Sequence, residues 1–100
     1  MKESTVQRKL MEELRLKWPN GYIRKIAQNM YSHGGVPDIL TCINGKFVAL
    51  EVKTIKGTLS RLQARDIKLI EQAGGLALTC YGERDIAYII ELIGNHCEPK

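Results

Sequence analysis

The sequence predicts an α/β domain with the element order αβββαβα, a mixed β-sheet flanked by helices. Three observations carry this prediction. Two runs rich in Ile, Leu, Val, Thr and Phe, Asp38 to Ile43 and Lys46 to Lys53, are separated by Asn44-Gly45, a strong hairpin signal. Helical periodicity occurs before this hairpin, in Val6, Leu10, Leu14 and Trp18, and again after it. Both faces of the hairpin are apolar, Leu40, Cys42, Phe47 and Ala49 on one side and Ile39, Ile43, Val48 and Leu50 on the other, so each needs a cover.

The first helix runs from Glu3 to about Lys17, and Pro19-Asn20-Gly21 stops it. Tyr22 to about Gln28 reads as the first strand, followed by a loop around His33-Gly34-Gly35. Beyond the hairpin, Ser60 to Ala73 reads as a second helix that opens on a capping box, Ser60-Arg61-Leu62-Gln63, and closes at Gly74-Gly75. Leu76 to Tyr81 is a fourth strand. Glu83 to Ile93 is a last helix, with Ile86, Ile90 and Ile93 on one side, ending at Gly94.

A chain of 100 residues closes one hydrophobic core, so residues 1–100 are expected to form a single domain. Apolar residues at 44% and charged residues at 26% are the balance of an ordered globular protein. A net charge of +4 and a pI near 9.1 permit a polyanionic partner. No apolar run approaches the ~20 residues of a spanning helix, and Met1-Lys2-Glu3-Ser4 lacks the apolar core of a signal peptide. The expected location is a reducing cytoplasm, without membrane contact. Cys42 and Cys80 fall in strand-like segments and Cys97 in the tail, none with the spacing of metal ligands; His96-Cys97 reads as a frayed tail rather than half of a zinc site. No repeat or linker is present. The absence of a Gly-x-x-x-x-Gly-Lys-Ser/Thr loop argues against a nucleotide cofactor.

The hairpin makes a geometric statement about chemistry. With Asn44 and Gly45 at the centre of the turn, Ile43 pairs with Lys46 and Asp38 falls opposite Glu51, on one face of the sheet. Opposed residues have Cβ atoms roughly 4.5–5.5 Å apart, a separation at which two carboxylates repel unless a cation lies between them. Lys53 points to the same face two positions on. Magnesium suits such a pair, because it takes one or two carboxylates and fills its other positions with water and phosphate oxygens. The lysine then positions or deprotonates an attacking water and stabilises the transition state, which is phosphodiester hydrolysis chemistry.

Pro37-Asp38 on one strand and Glu51-Val52-Lys53 on its partner resemble the motif of the PD-(D/E)xK nuclease superfamily, whose fold is restriction-endonuclease-like. Within it the chain resembles the stand-alone VRR-NUC domain. The matching residues are Glu3 on the first helix, Gly35-Val36-Pro37-Asp38, Glu51-Val52-Lys53, and Ser60-Arg61-Leu62-Gln63. The resemblance spans nearly the whole chain. It implies that Asp38, Glu51 and the backbone carbonyl of Val52 ligate Mg²⁺, with Mn²⁺ substituting, that Lys53 is catalytic, and that Gln63 and Glu3 support them. Gln63 shares a helical stripe with Ile67 and Ile70 and so points toward the sheet, a placement compatible with its capping role. Glu3 has a second reading as an acidic residue favoured by the helix dipole.

The resemblance also implies a metal-dependent DNA endonuclease, structure-selective on branched DNA such as four-way junctions or flaps. Paired cuts across a junction need two active sites, hence a homodimer. Arg61, Arg65 and Lys68 recur on one face of the second helix and, with Lys56, Arg24 and Lys25, are the candidate DNA contacts; a solvated charged face is the competing reading. Gly34-Gly35 is positioned to bring backbone close to a phosphate. His33 reads as an exposed loop residue. The alternative function is a catalytically idle nucleic-acid-binding or assembly module retaining the fold, against which the opposed acidic pair speaks. Action on RNA or another phosphate ester stays open.

Overall fold

The computed structural model describes residues 1–27 and 34–98. Helix α1 (Glu3–Lys17) leads into strands β1 (Tyr22–Lys25), β2 (Ile39–Ile43) and β3 (Lys46–Lys53). Helix α2 (Arg61–Gln72), strand β4 (Leu76–Tyr81), a 3-10 turn at Glu83–Asp85 and helix α3 (Ile86–Cys97) follow. The sheet is mixed, with strand order β1-β2-β3-β4; β1, β2 and β3 are antiparallel, and β3 and β4 are parallel. A parallel pair needs a crossover, and α2 supplies it.

Asn44 (φ 51°) and Gly45 (φ 79°) both adopt left-handed backbone conformations. Such a pair forms the turn whose twist matches that of the strands it joins. It sets Ile43 against Lys46 and Ile39 against Leu50. Strand alternation then divides the sheet. Ile39, Thr41, Ile43, Val48, Leu50 and Val52 are buried, packed with Val6, Leu10 and Leu14 of α1 and with Ile89, Ile93 and Cys97 of α3. On the other face α2 covers β4 and β3, yet it contributes no buried residue to the core. That face carries Leu40, Cys42, Phe47, Ala49, Glu51 and Lys53.

Four boundaries differ from expectation. β1 ends at Lys25 rather than near Gln28, because its last partner, Ile39, is the first residue of β2; one further bond joins the Ile26 N–H to the Asp38 carbonyl. Gln28 and His33 lie outside the described residues. Strand β2 begins at Ile39 rather than Asp38, for a reason given below. The last helix neither starts at Glu83 nor stops at Gly94. Its first turn is 3-10, and its apolar stripe continues from Ile93 to Cys97, which is only 2% exposed. Gly94 lies inside the helix against Trp18, and the Asn44 side chain donates to the Cys97 carbonyl at 3.1 Å. Cys97 is thus a core residue and not part of a frayed tail, and burial pushes its thiol pKa up. Among the described residues no helix is long and apolar enough to cross a membrane.

A core whose large side chains are concentrated on one face makes a prediction. Leu10→Ala and Ile93→Ala should each lower the unfolding free energy by about 2–5 kcal/mol in urea titrations. Leu69→Ala on α2, where the side chain is 54% exposed, should change it by no more than about 0.5 kcal/mol.

Candidate active site

Strands β2 and β3 pair as far as Ile39 and Leu50. One step further the register sets Asp38 against Glu51, but there the ladder opens. Pro37 precedes, and Asp38 Oδ2 accepts the Val52 N–H at 2.8 Å, replacing the main-chain carbonyl that would continue the ladder. The carboxylate therefore lies in the fork between the strands, still beside Glu51, whose ionisation it opposes. The Lys53 carbonyl accepts from Gly82 on the β4 side. By alternation, the Val52 carbonyl is turned toward β2 and opens into the same fork.

Glu51 is 3% exposed. Gln63 Nε2 donates to Glu51 Oε2 at 2.9 Å, and Lys53 Nζ stands 3.7 Å from the same oxygen. Desolvation pushes the Glu51 pKa up to about 7; the neighbouring Asp38 carboxylate adds to this and Lys53 opposes it. Gln63 reaches Glu51 without leaving the helix cap. Its Oε1 accepts from the Ser60 N–H at 2.9 Å, while its own N–H donates to Ser60 Oγ at 3.1 Å. Both expectations for this residue, cap and site, describe one conformation.

Glu3 lies in the first turn of α1 and lines a cleft with Gln7, Lys25, Ile26, Ala27 and Asp38. The structure thus places it on the α1 side of the fork, opposite to Glu51 and Gln63. Gln7 was not singled out in the sequence, although a polar residue on the helical stripe of Glu3, Leu10 and Leu14 was the signal. Arg24 and Lys25 diverge, as neighbours in a strand must. Arg24 shares the α2 face, with its guanidinium 5.9 Å from the Tyr22 ring centroid, whereas Lys25 turns toward α1. Arg61, Arg65 and Lys68 are exposed along α2, Arg65 pairing with Asp66 at 3.3 Å, and Lys56 is exposed in the loop before it. Gly35 has a different purpose from the one expected. A Cβ there would lie 2.7 Å from the Leu62 carbonyl and 3.0 Å from the Asp66 carboxylate, so this glycine admits α2, whereas a Cβ at Gly34 meets nothing within 4 Å among the described residues.

Among the described residues no three His, Cys, Asp or Glu side chains converge as a metal-binding group. The donors at the fork are two carboxylates and a main-chain carbonyl. An all-oxygen set of this kind fits magnesium or manganese and does not fit a structural zinc. The electrostatics agree. A second negative charge beside a nearly enclosed carboxylate is a conflict that a divalent cation relieves.

The raised Glu51 pKa makes stability depend on pH. Its folded value, about 7, lies above the ordinary 4.5, so the folded state holds the proton more tightly than the unfolded chain does. The contribution is complete below pH 4.5 and is lost as pH rises through about 7. A shift of that size corresponds to roughly 3 kcal/mol. In EDTA, urea titrations should show this loss between pH 5 and pH 8, and Glu51→Gln should remove most of it.

No family model and no curated protein matches the sequence. The fold does have a relative among solved structures. One described as a VRR_NUC domain superimposes with a TM-score of 0.71 at 24% identity, covering 89% of this chain and 94% of its own. This chain has the restriction-endonuclease-like fold of a VRR-NUC domain.

Proposed function

We propose that this protein is a metal-dependent DNA endonuclease of the VRR-NUC type. The observation that carries the reading is Glu51, buried, held by Gln63 and Lys53, and set beside the Asp38 carboxylate where β2 and β3 part. Likeness of fold to a VRR_NUC domain supports it.

In this reading Asp38, Glu51 and the Val52 carbonyl hold Mg²⁺, for which Mn²⁺ substitutes. When bound, the metal supplies positive charge to the phosphate and acidifies a water. The Val52 N–H restrains Asp38 and the Gln63 amide restrains Glu51, so both oxygens are oriented before substrate arrives. Lys53 bears a compact charge beside Glu51, where it orients the attacking water and stabilises charge developing on the phosphoryl oxygens. Arg61, Arg65, Lys68, Lys56 and Arg24 offer contacts to DNA phosphates on the α2 side. Lys25 is left to the α1 side. Branched DNA, cut by a homodimer, is the substrate that the resemblance to VRR-NUC domains implies. Such an enzyme acts inside the cell.

The test uses a labelled four-way junction and a linear duplex. Cutting should require Mg²⁺ or Mn²⁺, stop in EDTA and favour the junction, and Asp38→Ala or Lys53→Ala should lose at least ~10²-fold in rate. Metal-independent cutting, or full activity in either variant, overturns the assignment. Junction binding without cutting under every metal condition points instead to an idle binding module.

The basic residues have their own readout. Removal of Arg61 or Arg65 should weaken DNA binding similarly for all sequences and lower the slope of log affinity against log salt by about 1 each.

A further inference from the structure

Gln7 is a polar side chain where the packing asks for an apolar one. It occupies the buried stripe of α1 with Val6, Leu10, Met11 and Leu14, and is 8% exposed. Among the described residues no group hydrogen-bonds its amide. Most of the residue is enclosed, but its amide is not sealed from solvent and can take a partner from outside the fold. What remains accessible of Gln7 opens on the cleft of about 660 Å³ whose other walls include Glu3, Lys25 and Asp38. The unpaired amide is therefore aimed at the α1 side of the fork.

The chemistry of the cleft selects its occupant. Glu3 and Asp38 present carboxylates beside the amide oxygen of Gln7, and among the described lining residues only Lys25 is cationic. A bare phosphate would be repelled by the two acids, whereas water bound to a cation donates hydrogen bonds to oxygens of this kind. Resting on the metal assignment to Asp38 above, we propose that Gln7 is a positioning residue that, with Glu3, accepts hydrogen bonds from the water shell of the divalent cation. It is the α1-side counterpart of Gln63, which restrains Glu51 directly on the α2 side. Groups that orient a metal site from this distance typically change affinity 10–100-fold when removed.

The test is Gln7→Met, which keeps the length of the side chain and removes its polar atoms. Two quantities are measured: Mn²⁺ binding by calorimetry, and urea denaturation in EDTA. Mn²⁺ affinity should fall by at least about 10-fold. Stability in EDTA should stay about the same, because the amide takes no hydrogen bond from the described residues and Met keeps the length of the side chain. A purely structural glutamine gives the opposite pattern, lower stability in EDTA with unchanged Mn²⁺ affinity, and that result overturns the inference. Equal Mn²⁺ affinity at equal stability overturns it too. If the unsubstituted protein binds no Mn²⁺, the metal assignment itself falls and takes this inference with it; loss of binding in Asp38→Asn shows that the assignment stands independently of Gln7.

Discussion

Glu51 is a carboxylate placed in a strand between Leu50 and Val52, both fully buried, and the site is organised around keeping it there. Removing one carboxylate from water costs several kcal/mol after all relaxation, which rivals the net stability of a domain of this size. The polar contacts described offset part of that cost: one amide hydrogen bond from Gln63 and one lysine at 3.7 Å. Asp38 works in the opposite direction, since its charge makes ionising Glu51 harder. A fold shaped by stability alone would not bring the second acid close. The fork does so, by giving Asp38 the Val52 N–H as a partner and so ending β2 one residue early.

The same logic explains why the core is lopsided. A sheet with two apolar faces is usually covered on both, and here α1 and α3 cover one face, leaving Leu76 and Leu78 of β4 only partly buried. On the other face Glu51 and Lys53 interrupt the apolar surface, and α2 lies over it with no side chain fully buried. Its approach rests on close backbone contact, with Gly35 admitting the Leu62 carbonyl and Gly75 admitting Phe47 and Ile70. Packing energy is concentrated where no chemistry is expected, and the side bearing the acids is held by caps, glycines and hydrogen bonds.

Much of this was legible in the sequence. Asn44-Gly45 determined the register because both residues tolerate a left-handed backbone, and register alone brought Asp38 level with Glu51. Period-2 and period-3.6 patterns located β3, β4 and α1 to the residue, since each buries one regular stripe. The misses share a cause in tertiary contact. Gly94 reads as a helix stop, but a glycine ends a helix only where the chain turns left-handed, and the burial of Cys97 carries α3 past it. Gly34-Gly35 reads as a loop open to phosphate, whereas the proximity of α2 to Gly35 is invisible until the crossover is folded. The swing of Asp38 into the fork depends on which group takes the Val52 N–H, and strand patterning carries no information on that.

Gln63 shows how closely fold and site are joined. A capping box accepts Glu as readily as Gln at its third helical position, because either side chain offers an oxygen to the N-cap amide. In this chain the oxygen is committed to the Ser60 N–H, and what remains must face Glu51. With Gln that remainder is an NH₂ group, which donates to Glu51 Oε2; with Glu it would be a carboxylate oxygen opposing another at about the same distance. The helix start has no preference between them. The choice of Gln at residue 63 therefore follows from the buried acid on β3, and the cap in turn fixes which end of the amide that acid meets.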